Sequence, residues 1–265
     1  MIFVLLAVAT IAWSLTVLRW AFSRTRSRWR KRVIVMSWVA GAVAIASIAD
    51  DARTMWGRFR ATRSDVSIVI TDMGDWWRVA YRSGGRGFIT ANEVHVPVRT
   101  LVAITWNGAP AGVWRARDFL PIAPGRFDFV ASESGVDDVV LVRLHPRGWR
   151  HLRIVADPAP AFQHWFADQL QPAPRGPDGA LFVDAGCAYC HVVRGVAESP
   201  STIAPDLTHF ASRRTIAAID LPNAPGFLSG WIVNSRALKP ASEMPRNAID
   251  AGALRRLVAY LETLR

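Results

Sequence analysis

The chain has 265 residues and a formal net charge of +11. Residues 1–63 hold eleven basic and two acidic side chains, so +9 of that charge lies there. The remainder carries only +2, too little for a phosphate-binding surface, which excludes a nucleic-acid-binding protein. The two cysteines exclude a disulfide framework, and the length allows more than one domain.

Two apolar segments stand in the first 50 residues. Residues 2–18 and 33–49 carry no charge, and each is close to the lower limit of about 17 residues for a transmembrane helix. Seven basic residues lie between them, and such loops stay in the cytoplasm. A cleaved signal peptide is the alternative, but no basic side chain precedes the first segment. We expect a two-helix transmembrane hairpin over residues 1–50 in the bacterial inner membrane, with both termini periplasmic.

Residues 64–158 consist of short β-branched and aromatic runs separated by glycine and proline. This pattern predicts several short strands and is typical of a β-sandwich or barrel. The predicted strands are residues 66–70, 76–81, 93–98, 101–106, 126–130, 139–144 and 152–155. Residues 159–175 are predicted to form a helix and then a linker rich in proline, glycine and alanine.

Cys187, Cys190 and His191 form a Cys-x-x-Cys-His motif, the attachment signature of c-type haem. The two thiols bond to the porphyrin, and the histidine supplies an axial nitrogen to the iron. A zinc site would need two more ligands at similar spacing, and a thioredoxin-like pair would need a βαβ context; neither pattern is present. Residues 179–182 and 251–265 are predicted as the first and last helices of an all-α class I cytochrome c domain over residues 176–265, which carries one covalent haem c.

The order of these features resembles subunit II of the haem-copper oxidases (cytochrome c oxidases) with a fused C-terminal cytochrome c domain. The strings that carry the resemblance are Asp-Trp-Trp-Arg-Val-Ala-Tyr at residues 75–81, residues 90–98, Ala-Pro-Gly-Arg at residues 123–126, Val-Ala-Asp-Pro at residues 155–158 leading to Phe162 and Trp165, residues 204–209 and residues 238–245. The resemblance implies a multidomain membrane protein in which residues 64–158 fold as a cupredoxin-like β-sandwich.

In that family the sandwich holds a binuclear copper centre with two cysteine ligands. The family's four later ligand positions fall on Val139, Arg143, Arg147 and Arg150, whose side chains do not bind copper. The family's earlier histidine position falls near Gly112. Residues 64–158 contain no cysteine, and soft thiolates are what such a centre requires. We therefore predict that this domain binds no copper.

Other residues of the same region are expected to be structural. His145 and His151 make a poor replacement ligand set, and we expect surface or hydrogen-bonded roles for them. His95 matches a histidine common in the family's strand. Asp75 occupies the position of the family's electron-entry tryptophan, which suggests that electrons do not enter through this domain. Trp76 and Trp77 are expected to pack as core or interface aromatics.

The resemblance also implies the second axial ligand. Met244, which stands directly before a proline, is the expected ligand, and Pro205 and Leu207 are expected to line the haem pocket. A methionine opposite histidine raises the reduction potential, which suits delivery of electrons to an oxidase. His209 is the alternative, because histidine is also a strong haem ligand.

The resemblance implies a non-catalytic electron-transfer subunit of a terminal oxidase. Its haem c would accept electrons from a periplasmic cytochrome c or another membrane electron donor and pass them to the haems of subunit I, where oxygen is reduced. Other integral subunits are further expected partners. Two alternatives stay open: a subunit of a quinol oxidase or nitric oxide reductase relative, and a scaffold with a membrane-tethered cytochrome c.

Overall fold

The structure is a computed structural model, and it describes residues 28–60, 62–108, 111–115, 118–122, 124–143, 148–174, 176, 178–198 and 203–265. The chain divides into two compact units, one ending at Arg60 and the other beginning at Ala61. As far as it is described, the first unit is a single helix. The second unit contains a β region followed by a mainly helical domain.

The helix of the first unit, α1, spans Arg28–Arg60. No proline interrupts it, and alanine, the strongest helix former, recurs along it. The helix continues through Asp50, Asp51 and Arg53, beyond the point where the sequence predicted the end of a membrane span. The uncharged stretch before them, residues 33–49, rises about 25 Å at 1.5 Å per residue, which is less than a hydrocarbon core about 30 Å thick.

Within the residues that the structure describes, no helix has both the length and the apolar character needed to cross a bilayer. The predicted transmembrane hairpin over residues 1–50 is therefore wrong, and the two-pass location in the bacterial inner membrane is overturned by the same finding. The prediction failed for residues 33–49 because this segment has only the minimal length of a transmembrane helix. Eight of its residues are alanine, glycine or serine, which add little apolar surface. The other predicted span, residues 2–18, lies outside the described residues.

Within the described residues, the β region contains ten strands in two sheets of five. The strands are β1 (Thr62–Asp72), β2 (Trp77–Ser83), β3 (Arg86–Ala91), β4 (Glu93–Pro97), β5 (Thr100–Asn107), β6 (Ala111–Arg115), β7 (Asp118–Ile122), β8 (Gly125–Phe129), β9 (Gly135–Arg143) and β10 (Gly148–Asp157). The first sheet has the order β3-β2-β1-β5-β8, and the second has the order β4-β10-β9-β6-β7. Both sheets are mixed, because β1 runs parallel to β5 and β4 runs parallel to β10.

The two sheets share one hydrophobic core. Trp77, Val79 and Tyr81 alternate along β2 and are almost fully buried, as the two-residue period of a strand requires. Val94 and Val96 of β4 belong to the same core from the other sheet. Sheets that bury one face against each other form a β-sandwich. The sequence predicted a cupredoxin-like sandwich here; the structure supports only the coarser description, a β-rich region of two mixed sheets.

Helix α2, Ala159–Gln169, follows the last strand and packs on this core. Phe162 and Phe166 are its buried aromatics, and the ring of Phe166 meets that of Phe88 edge to face, with centroids 5.1 Å apart. Offset and edge-to-face pairs of this kind add to the energy of burial. Helix α2 is therefore part of the β region.

The segment after α2, predicted to be a linker, is bound to the domain that follows. The guanidinium of Arg194 donates to the carbonyl oxygens of Gln169 and Leu170, at 2.6 and 3.3 Å. The amide of Ala173 donates to the carbonyl oxygen of Arg194 at 2.8 Å. These bonds fix the chain on both sides of the connection.

The last domain consists of short helices and a small β-ribbon. Its elements are α3 (Gly179–Asp184), the 3-10 helices Cys187–Tyr189 and Phe210–Ser212, β11 (Thr215–Ile216), β12 (Leu221–Pro222), α4 (Pro225–Leu238) and α5 (Ala251–Leu261). Gly179 lets α3 approach its neighbours, since a Cβ there would stand 2.9 Å from Val196 Cγ1 and 3.5 Å from the Tyr260 hydroxyl. The β11–β12 ribbon is a departure from the predicted all-α domain.

Candidate functional site

The Cys-x-x-Cys-His motif lies in a tight turn directly after α3. Gly186 opens this turn with a φ of 76°, a left-handed conformation that glycine adopts without steric cost. The carbonyl oxygen of Cys187 then accepts hydrogen bonds from the amides of Cys190 and His191, at 3.2 and 3.0 Å. One turn of backbone therefore holds both thiols and the imidazole near each other.

His191 is oriented by one hydrogen bond. Its Nδ1 lies 2.7 Å from the carbonyl oxygen of Pro205, which can only accept, so Nδ1 carries the hydrogen. Burial lowers the pKa of the imidazole, which keeps the ring neutral at pH 7. Nε2 therefore retains the lone pair that an iron ligand needs, with the tautomer fixed by the partner on the other ring nitrogen.

A cavity of about 1320 Å³, counting the solvent at its mouth, opens beside the turn. Leu228, Trp231 and Ile232 of α4 form one apolar wall, and Leu257 and Leu261 of α5 form another. A cleft with mainly apolar walls and a few polar groups is typical of a site for a ligand or cofactor.

All six predicted haem-site residues line this cavity: Cys187, Cys190, His191, Pro205, Leu207 and Met244. The alternative axial ligand, His209, is not among the described residues that line it. The Nε2 of His209 instead lies 2.9 Å from the carbonyl oxygen of Gln171, to which it donates. Of the two candidate axial ligands, Met244 therefore lines the cavity and His209 does not.

Met244 is held through its backbone by the residues around it. The buried hydroxyl of Ser235 donates to the carbonyl oxygen of Met244 at 3.0 Å. The amide of Met244 donates to the hydroxyl of Ser242 at 3.3 Å, and Arg236 Nε donates to the carbonyl oxygen of Ser242 at 3.1 Å. The methionine loop, residues 242–245, is therefore fastened to the end of α4, and the thioether is presented to the cavity from a fixed backbone.

The turn between β11 and β12 stores backbone strain at the cavity wall. Ala217, Ala218 and Ile219 have φ values of 56°, 57° and 80°, which L-residues with a Cβ rarely adopt. Lys239 stabilises the turn, because its Nζ donates to the carbonyl oxygen of Ala217 at 2.8 Å and lies 3.0 Å from Asp220 Oδ2. Strain of this kind persists where a surrounding structure holds it, often at ligand clamps.

Arg213 is a cavity residue that the sequence analysis missed. Its Nη2 donates to the carbonyl oxygen of Asp206, but its Nε is buried without a hydrogen-bond partner among the described residues. Burial lowers the pKa of the guanidinium, as desolvation of a cation must. The two propionate carboxylates of a haem are anions that would satisfy such a group, so the residues present fit this cofactor. Nothing in the sequence distinguishes Arg213 from Arg214 beside it.

Three residues of the β region also line the cavity: Asp75, Trp76 and Asn92. Trp76, expected to be a core or interface aromatic, is only 6% exposed. Trp77 packs inside the core of the β region, where its ring lies 5.0 Å from that of Trp106. The two neighbouring tryptophans therefore have different environments: of the pair, Trp76 lines the cavity and Trp77 lies in the core of the β region. A sequence reading could not have separated them, because the difference depends on the packing of the two domains.

The described residues give the two cysteines no further ligands for a zinc site. Burial raises the pKa of the Cys187 thiol, so it stays protonated at neutral pH. A zinc site needs thiolates and further ligands, yet the described residues contain no group of three or more histidine, cysteine or acidic side chains placed to hold a metal ion.

The positions that the resemblance assigned to copper ligands are spread over three strands. Gly112 is in β6, Val139 and Arg143 are in β9, and Arg150 is in β10, while Arg147 lies outside the described residues. None of these residue types supplies a soft copper ligand. The absence of copper stays a prediction from the sequence.

The described histidines of the β region have hydrogen-bonded positions. His95 Nδ1 lies 2.8 Å from Asp157 Oδ2, and its ring stacks on Trp165 with centroids 4.1 Å apart. His151 Nδ1 lies 3.4 Å from Asp220 Oδ1 of the last domain. His145 lies outside the described residues. The contacts of His95 and His151 agree with structural roles.

Comparison with known families identifies the last domain. The cytochrome c family model matches residues 178–265. No curated protein matches the chain. The chain therefore carries a C-terminal cytochrome c domain, as the sequence predicted, and that family implies a covalently bound haem c and electron transfer through it.

Proposed function

We propose that this chain is a copper-free relative of oxidase subunit II, in which the cytochrome c domain receives electrons and passes them to the haems of a partner subunit I. The observation that carries the proposal is the cavity shared by the Cys187–Cys190–His191 turn and Met244. The order of the chain, a two-sheet β region and then a cytochrome c domain, supports the same assignment.

Bound haem c would supply reversible one-electron chemistry between ferric and ferrous iron. The chain's own residues hold it and set its surroundings. Cys187 and Cys190 would tether the porphyrin, and the carbonyl oxygen of Pro205 fixes the tautomer of His191. Leu257 and Leu261 contribute apolar surface to the wall of the cavity.

The haem assignment is tested on the purified chain by mass spectrometry and by the absorption spectrum of its pyridine haemochrome. One covalently attached c-type haem per chain and no copper is the expected result. A chain that carries no covalent porphyrin after expression with the haem-attachment machinery would contradict the proposal.

The role in an oxidase is tested by rapid mixing of the pre-reduced chain with a purified subunit I, followed at the haem c band. We expect oxidation of haem c to keep pace with oxygen consumption. Nitric oxide in place of oxygen tests the reductase alternative. Haem c that stays reduced while subunit I turns over with another donor would contradict the assignment.

A further inference from the structure

Glu93, at the start of β4, is a buried acid of the β region that contacts the cytochrome c domain. It is 4% exposed. One of its carboxylate oxygens accepts hydrogen bonds from the amide of Arg214 and from the hydroxyl of Thr215, both at 3.1 Å. These partners are 121 and 122 residues further along the chain. A carboxylate is rarely buried unless its hydrogen bonds are worth more than its desolvation.

The position of Glu93 is fixed by its own sheet. Asn92, directly before it, has a φ of 64° and is bonded to Trp77 twice: its amide donates to the carbonyl oxygen of Trp77 at 3.0 Å, and its Oδ1 accepts from the Trp77 amide at 2.8 Å. The amide of Arg153 donates to the carbonyl oxygen of Asn92 at 3.0 Å. The carboxylate of Glu93 therefore projects from a well-braced backbone.

The charge of Glu93 is only loosely matched inside the β region. Among the β-region residues whose side chains are described, Arg153 is the nearest cation, with its Nη1 at 3.9 Å. That guanidinium is already committed to Asp138, to which its Nε and Nη2 donate at 2.6 and 2.7 Å. The short contacts of Glu93 are consequently those with the cytochrome c domain.

The segment that Glu93 holds is next to a residue of the haem cavity. Arg213 precedes Arg214 and lines the cavity, with its guanidinium buried. Thr215, which also lines the cavity, begins β11, which leads into the strained turn at residues 217–219. The backbone that Glu93 fastens therefore carries a wall of the haem site.

We infer that Glu93 is a positioning residue of the haem site: it fastens residues 213–215 to the β region, and its negative charge is part of the electrostatic surroundings of the haem. The β region then has a role that needs no metal of its own, because it positions the haem site of the cytochrome c domain and influences the midpoint potential of the haem. This inference rests on the haem site of the proposed function.

Two variants separate the charge of Glu93 from its hydrogen bonds. Glu93→Gln keeps a carbonyl oxygen that can accept both bonds but removes the charge, and loss of a nearby negative charge favours ferrous iron. We expect the midpoint potential to rise, with hydrogen exchange at Arg214 close to that of the unaltered chain. Glu93→Ala removes the acceptor, and we expect exchange of the Arg214 amide to accelerate about tenfold, the factor that corresponds to a lost bond of about 1.4 kcal/mol.

Glu133→Gln is the matched control, because Glu133 is an exposed acid of the same region and the change is chemically identical. It should leave both readouts unchanged. A haem-loaded Glu93→Gln chain with the potential of the control, or a folded Glu93→Ala chain with unaltered Arg214 exchange, would overturn the inference while the proposed function stood. If the unaltered chain and all the variants carried no haem, both the inference and the proposed function would be overturned.

Discussion

Asp75 Oδ2 accepts a hydrogen bond from the backbone amide of Glu243, 168 residues further along the chain, at 3.4 Å. Glu243 directly precedes Met244, so an acid of the β region contacts the methionine loop beside the expected iron ligand. Asp75 occupies the position at which the resemblance places the family's electron-entry tryptophan. In this chain the residue at that position forms a hydrogen bond between the β region and the cytochrome c domain.

The two candidate axial ligands can be separated by substitution. Met244→His should lower the midpoint potential, because a second imidazole stabilises ferric iron relative to a thioether. His209→Ala should leave it near that of the unaltered chain, because His209 is not among the described residues lining the cavity. Redox titration followed at the haem bands measures both. A large rise in potential in the His209 variant alone, as expected when a ligating imidazole is lost, would reverse the assignment.

The attachment chemistry predicts a graded series. Cys187→Ala or Cys190→Ala should each leave one thioether bond, and the double variant should leave none. After acid extraction, the mass of the double variant should be that of the polypeptide alone, while each single variant keeps the mass of a bound porphyrin. A porphyrin that remains covalently bound to the double variant would show that attachment uses another group.

Gly186→Ala should destabilise the chain by about 1 kcal/mol, because the residue before the attachment turn has a positive φ that a Cβ disfavours. Space is not the problem, since a Cβ there would meet only the Tyr189 ring, at 3.5 Å. Gly226→Ala in α4 is the control, as its Cβ would have no atom within 4 Å and it has no positive φ. Urea unfolding of both variants should show a loss only for Gly186→Ala.

The N-cap of α5 predicts a pH-dependent effect. Asp250 Oδ1 accepts from the amides of Gly252 and Ala253, at 2.8 and 3.0 Å, and these bonds lower the pKa of the carboxyl below its ordinary value of 3.8. A depressed folded-state pKa gives stability that is present above the unfolded pKa and is lost as the pH falls through the folded one. Asp250→Ala should lower the melting temperature by about 2–4 °C at pH 7.

The same difference should shrink towards zero at pH values below the folded pKa, where the carboxyl of the unaltered chain is protonated. Asp178→Ala is a suitable control, because Asp178 stands at the N-terminus of α3 without a side-chain capping bond. A pH-independent difference between the Asp250 variant and the unaltered chain would show that the cap does not depend on the charge.

Local patterns predicted the parts of the structure that depend on neighbouring residues. The attachment turn is encoded within Cys187–His191, and the predicted strands at residues 66–70 and 101–106 lie inside β1 and β5. In the β region, three short strands were missed: β3, β6 and β7. The sequence around β3 is Arg-Gly-Phe-Ile-Thr-Ala, in which a glycine interrupts the apolar alternation that indicates a strand.

The cavity walls could not be predicted in the same way. Arg213, Trp76 and Asn92 come together only when the β region and the cytochrome c domain pack, and their residue types carry no sign of it. The hairpin prediction failed for a different reason, because residues 33–49 stand at the limit of length where an apolar helix and a membrane span look alike. The resemblance identified Pro205, Leu207 and Met244 far from the attachment turn, but it gave no sign of the wall residues that only the packing of the two domains brings together.

The bonds of Arg194 to the end of α2 bear on how electrons can be exchanged. A domain joined by a free tether can swing between donor and acceptor, and its transfer rate then depends on the length of the tether. Here Gln169, Leu170 and Ala173 are all bonded to Arg194 across the connection. We therefore expect a bound haem to stay in one place relative to the β region, and lengthening the connection beyond residue 173 should change its rate of electron exchange little.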